Sequence, residues 1–192
     1  MTPLHQLRAV LVAALLLVPV CAMHGQAVYG SAGLAAFYVD QNSSLDHQAN
    51  VGTGSVGGYF NFPIQSRLTA GVDVRTVYSP GSHGGSFTGA ALRIGFVPHT
   101  VRLMPYFQLG GGVANTSAKF YTVYTSTGSQ TYDSKSFTNG ALELAFGLDV
   151  RLTDRFDWRV FDYGAAAGSG GTNPTAAMGF LTSGVVYHFR QR

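Results

Sequence analysis

The chain has 192 residues, with 11% charged, 46% hydrophobic, 12% aromatic, 25 glycines and a formal net charge of +3. Soluble domains carry roughly 25% charged residues and about 7% glycine, so an ordinary water-facing globular surface is excluded. A disordered chain is excluded too, because it would be poor in aromatic and β-branched residues.

Met1 to Arg8 is short and mildly basic, Ala9–Val20 is a 12-residue apolar run, and small residues follow. A basic start, an apolar stretch of about 7–15 residues and a small-residue site make a secretory signal peptide. It is expected over residues 1–27, with cleavage after Ala22 or Ala27. A helix that crosses a bilayer needs about 20 residues, so this run is an address and not an anchor. Val20 precedes Cys21 where a lipid-modified cysteine would want Gly, Ala or Ser, so lipidation is not expected. Either cleavage leaves a domain over 28–192 with no cysteine and therefore no disulfide. Without Arg8 that domain has 11 basic residues against 9 acidic, and no basic run beyond Arg190-Gln191-Arg192. No nucleic-acid partner is expected from so even a balance.

After residue 27 no helical period of useful length appears, while period-2 patterns recur between clusters of Gly, Asn, Ser and Pro. Eight strands are expected: Val28–Val39, Val51–Phe62, Arg67–Tyr78, Phe87–Val97, Val101–Asn115, Thr138–Leu152, Phe156–Ala165 and Ala176–Phe189. The connections alternate in length. Those at 63–66, 98–100 and 153–155 are short, and those at 41–50, 79–86, 116–137 and 168–175 are long. Antiparallel neighbours in succession put the short turns at one end and the long loops at the other. Outer-membrane barrels are built this way, with periplasmic turns and extracellular loops. An even strand number returns both termini to the short-turn end, expected to be periplasmic.

The faces agree. Leu142, Leu144, Phe146, Leu148, Val150 and Leu152 share one side of their strand, and Glu143, Asp149 and Arg151 share the other with Ala and Gly. Leu68, Val72, Val74 and Tyr78 oppose Asp73 and Arg75; Leu92, Ile94 and Phe96 oppose Arg93. Leu103, Phe107 and Leu109 oppose Arg102, Tyr106 and Gln108; Phe156, Trp158 and Val160 oppose Asp157 and Arg159. A soluble sandwich would bury the apolar face and crowd the other with charge, Lys above all; here the second face is rich in Gly and Ala. The pattern predicts an all-β protein, an eight-stranded antiparallel up-and-down transmembrane β-barrel. Lipid takes the large apolar side chains, and a structural network of paired charges fills the lumen. That network is expected to be Asp73, Arg75, Arg93, Arg102, Glu143, Asp149, Arg151, Asp157 and Arg159. Asp162 falls on the lipid-facing parity, and either stands above the membrane or follows a bulge.

Thr182-Ser183-Gly184-Val185-Val186-Tyr187-His188-Phe189 resembles the C-terminal insertion signal of bacterial outer-membrane barrels, carried here by Gly184, Tyr187 and Phe189. Arg190-Gln191-Arg192 runs past the usual terminal aromatic. Pro105-Tyr106-Phe107-Gln108-Leu109-Gly110-Gly111-Gly112 resembles the fifth strand of small barrels of the OmpA-like, opacity-type superfamily. Ala145–Asp154, Trp158-Arg159-Val160 and Asp162-Tyr163 are similar to the same family. The resemblance implies a barrel without the peptidoglycan-binding domain of full-length OmpA proteins. It also implies outer-membrane lipid as surroundings, and periplasmic chaperones and the barrel-assembly machinery as partners in biogenesis.

Function is expected to be non-enzymatic, structural or interactive, exercised by a monomer through its extracellular loops. Segment 116–137 holds Tyr121, Tyr124, Tyr132, Lys119 and Lys135 among Ser and Thr, a composition suited to an extracellular ligand. The alternatives are an acyltransferase or deacylase acting on lipid A, and a narrow pore. Acyl chemistry needs a nucleophile, His and a carboxylate together. His47, His83, His99 and His188 have no G-x-S-x-G or H-x-S companion. No spacing suited to a metal or cofactor occurs, so none is expected.

Overall fold

Successive side chains of a strand point to opposite faces, and that period organises the whole molecule. The computed structural model describes residues 26–41, 44–80, 84–98, 102–123, 130–170 and 173–189. Side chains are described outside 39–51, 117–135 and 169–175. The strands are β1 (Gln26–Gln41), β2 (Ser44–Gln65), β3 (Leu68–Ser79), β4 (Gly85–Phe96), β5 (Leu103–Val123), β6 (Gln130–Arg151), β7 (Phe156–Gly170) and β8 (Asn173–His188). Each pairs with the next, and β8 returns to β1 from Ala27↔His188 to Asp40↔Thr175, closing an all-antiparallel barrel.

Three of the expected loops are largely strand, 168–175 among them because β7 and β8 stay paired as far as Gly170↔Asn173. β1 and β2 stay paired as far as Gln41↔Ser44, and β5 and β6 as far as Val123↔Gln130. Asn, Ser, Gln and Asp made segment 41–50 look like a loop, and Ser and Thr made 116–137 look like one. Thr and Tyr are also good strand formers, and a polar hairpin needs no apolar face where water bathes both sides. Residues 1–25, on which most of the expected signal peptide falls, lie outside the described residues.

The outside of the wall is apolar. Leu142 is 75% exposed, Leu92 69% and Val56 64%, with Leu34, Ile94, Leu109, Val113 and Leu181 also outward. No water-facing surface carries so continuous an apolar coat. Hydrocarbon solvates it, and closure leaves no backbone edge unpaired within that band. Towards the short turns the coat becomes aromatic. Phe60 lies 6.2 Å from Phe62, Phe156 lies 5.2 Å from Tyr187, and Tyr187 lies 5.5 Å from Phe189, ring centre to ring centre. Such a girdle marks a membrane boundary.

Inside, large and small residues face each other across strands. Tyr29 pairs with Gly57, and Tyr106 with Gly147. Each ring lies over its glycine: a Cβ on Gly57 would stand 2.5 Å from the Tyr29 hydroxyl, and one on Gly147 would strike the Tyr106 ring. Gly147→Val is therefore expected to lower the unfolding free energy by about 1–3 kcal/mol through overpacking. Urea titration of the detergent-folded protein reads this directly, and an unchanged midpoint would refute the packing assigned to Tyr106.

Candidate functional site

The polar centre of the molecule is the lumen. Arg75 on β3, Arg93 on β4 and Arg159 on β7 point inward from the expected parity and are nearly inaccessible. Arg159 Nε donates to Asp149 Oδ1 at 2.9 Å, and Arg93 Nη2 to Asp149 Oδ2 at 2.9 Å. Arg75 donates from Nη1 to Asp162 Oδ2 at 2.8 Å and from Nε to Glu143 Oε1. Asp73 accepts the Tyr29 hydroxyl proton at 2.8 Å and lies 3.7 Å from Arg93 Nη1. Removing charges from water costs several kcal/mol per ion, which only close pairing and hydrogen bonding recover.

The guanidiniums also lie over aromatic rings. Arg93 lies 4.1 Å from the Tyr59 ring centre and 3.6 Å from that of Tyr106. Arg159 lies 4.9 Å from Tyr106 and 4.0 Å from Tyr29. The result is a circuit, Tyr59–Arg93–Tyr106–Arg159–Tyr29, whose end rings on the neighbouring strands β2 and β1 lie 6.4 Å apart. Arg75 lies 4.9 Å from the Phe180 ring. A cation over an aromatic face gains about 2 kcal/mol or more when both are dry. Beyond Arg75, towards the long-loop end, Phe37, Val77, Phe87, Met178 and Phe180 pack with four alanines. Towards the short-turn end, His188 Nε2 lies 2.7 Å from Asp157 Oδ2, and its ring stands edge-on to Tyr59.

Asp73, Arg75, Arg93, Glu143, Asp149 and Arg159 thus meet as expected, and Asp157 forms a separate pair with His188. Two assignments are corrected. Arg102 is exposed, because β5 begins only at Leu103 and the residue before it is not pleated into the wall. Arg151, the last residue of β6, is half-buried and reaches Met104 Sδ at 3.9 Å, outside the cluster.

Asp162 belongs to the network, and a bulge puts it there. On β6, Leu148 pairs with Phe161 while Asp149 pairs with Arg159, so Val160 is an extra residue. On β8, Gly184 and Thr182 pair with Arg159 and Asp162, leaving Ser183 opposite the bulge. Its hydroxyl donates to the Arg159 carbonyl at 2.9 Å and accepts the Trp158 Nε1 proton at 3.2 Å. A carbonyl freed at membrane depth needs such a donor.

Tyr29 and Tyr59 were not singled out from sequence, although inward parity marks both. In the insertion signal, Gly184 packs against the backbone of Gly30 and Ser31, while Tyr187 and Phe189 build the aromatic girdle. His83 and His99 lie outside the described residues, and His47 is described only by its pairing with Tyr38.

No protein-family model and no curated protein sequence matches the chain. Solved structures do. Neisserial surface protein A (NspA) superposes with a TM-score of 0.55 at 15% identity, over 86% of this chain and 97% of that one. The fold is that of a small outer-membrane barrel. The attachment invasion locus protein Ail of Yersinia pestis aligns over 87% of this chain and 100% of its own, with 16% identity and a TM-score of 0.48. The outer membrane enzyme PagL aligns over 79% and 97%, with 16% identity and a TM-score of 0.44.

Removing one partner of a buried ion cluster strands the others. Arg159→Gln is expected to cost about 3–5 kcal/mol of unfolding free energy. Arg102→Gln, at an exposed site, should stay within about 0.5 kcal/mol. Paired urea titrations measure both, and equal effects would contradict the lumen assignments.

Proposed function

We propose that the chain is an integral outer-membrane barrel that acts without catalysis, through the strands and loops beyond its membrane span. One observation carries this reading. β4 leaves β5 at Gly85↔Thr116 and β7 leaves β6 at Leu142↔Ala167, yet β5 and β6 continue together to Val123↔Gln130. They form a two-stranded ribbon above the neighbouring wall. Among the described residues, Ser117–Val123 pair with β6 alone, so the outer edge of β5 is open to a partner strand. Tyr121 pairs with Tyr132 in the register, and Lys119 stands two residues before Tyr121 in the same strand. Tyr124 lies outside the described residues.

The lumen supports the non-catalytic side of the reading. His188 is held between Asp157 and Tyr59, where no hydroxyl or thiol nucleophile is bonded to it among the described residues. The long-strand end then faces outward, and the short turns and termini face the periplasm. β1 begins at Gln26, so cleavage after Ala22 leaves that strand whole.

Cells displaying the full chain are expected to adhere to a matrix-coated or host-cell surface. Deletion of 118–136 should abolish adherence while heat-modifiable gel migration persists. Adherence that survives the deletion would overturn the role given to the ribbon. Lipid A whose acylation changes with the chain, and reverts on His188→Ala, would overturn the non-catalytic reading. An impermeant maleimide should label Thr127→Cys but not Ser66→Cys on intact cells; the reverse would invert the orientation.

A further inference from the structure

Each short connection delivers an arginine to an equivalent place. Arg67, Arg102 and Arg155 stand one residue ahead of β3, β5 and β7. In each case the backbone carbonyl accepts an N–H from the end of an adjoining strand. Val97 donates to Arg67 at 2.8 Å, Arg151 to Arg102 at 2.9 Å and His188 to Arg155 at 2.8 Å. The main chain of each is thereby tied to the wall, while all three side chains are exposed. Among the described residues none of the three joins an ion pair.

The exposed charges whose side chains are described are these three arginines and Asp154, all at this end. The three positions are two strands apart from β3 to β7, along half of the closed wall, so they form an arc and do not converge on one small anion. The next residue in each strand, Leu68, Leu103 or Phe156, opens the apolar coat, and Phe62, Phe96, Tyr187 and Phe189 lie at that boundary.

We propose that this collar binds the phosphate-bearing headgroups of anionic phospholipid in the leaflet at the short-turn end. A guanidinium pairs two N–H donors with phosphate oxygens, and its stem lies along apolar surface while its head reaches the interface. An arc of separate cations just beyond an aromatic girdle matches a row of headgroups along that half of the barrel. The inference rests on the membrane location and is independent of the role given to the β5–β6 ribbon.

The test uses the full folded chain in phosphatidylcholine vesicles, with spin-labelled phosphatidylglycerol or spin-labelled phosphatidylcholine as the probe of the boundary shell. Phosphatidylglycerol should be enriched several-fold at low salt, by at most about fivefold per arginine, and less at high salt. The triple variant Arg67→Gln, Arg102→Gln, Arg155→Gln should bring selectivity close to unity, and the triple Lys variant should keep part of it. Each single Gln variant should lower it in part, which covers the case of a triple variant that does not fold. No enrichment by the native chain, or enrichment that persists in the triple Gln variant, overturns the proposal. So does binding to a soluble acidic polymer without lipid selectivity. A chain that never inserts removes the membrane location itself, while an unaltered collar with failed adherence touches only the ribbon.

Discussion

Closing eight strands into a barrel leaves a lumen just wide enough for side chains, and something must fill it. In this molecule the filling is Arg75, Arg93 and Arg159 with their carboxylates and tyrosines. Each guanidinium meets carboxylate oxygen and lies against at least one ring, while Arg75 Nη2, Arg93 Nε and Nη1 and Arg159 Nη1 make no hydrogen bond among the described residues. The consequences reach the backbone. Glycines stand where Tyr29 and Tyr106 need floor space, and β7 carries an extra residue so that Asp162 turns inward to Arg75. Hydrophobic repacking of such a cluster is often neutral for stability. Its use here is geometric: strands from all round the wall are pinned to one register by contacts that no shifted pairing would preserve.

Most of this was legible because a strand has only one period. Parity alone separated Leu142, Leu144 and Phe146 from Glu143 and Asp149, and alternating connection lengths gave topology without any contact information. Parity fails wherever the pleat is interrupted. It put Asp162 outside because a bulge flips phase without any strong local signal; Val160-Phe161 looks like ordinary strand. It put Arg102 inside because it began β5 at Val101, two residues ahead of Leu103. The hydroxyl that caps the bulge, Ser183, is likewise invisible until the register of β8 is known.

The β5–β6 ribbon escaped for another reason. Hydrophobic alternation reports burial on one face, and a ribbon that rises beyond the membrane has water on both. Its pairing comes from backbone bonds and from Thr and Tyr propensity, neither of which alternates. Segment 116–137 therefore shares its composition with a loop and its backbone with the barrel.

The low charge content and near-neutral balance of the chain conceal a separation of charge. The lumen holds five carboxyls, Asp73, Glu143, Asp149, Asp157 and Asp162, against three guanidiniums and His188. The exposed collar holds Arg67, Arg102 and Arg155 against Asp154. An acid-rich interior beside a base-rich rim is not what pairing inside the lumen alone would require. Arginines placed ahead of β3, β5 and β7 do nothing for the buried cluster. They sit where an apolar wall ends and polar headgroups begin, and a cation there is solvated by water and phosphate together while its stem remains on the wall. Two different demands, filling a dry lumen and meeting a charged interface, thus draw on one small set of ionisable residues, and the bulge at Val160 and the carbonyl ties at the turns sort each residue to its demand.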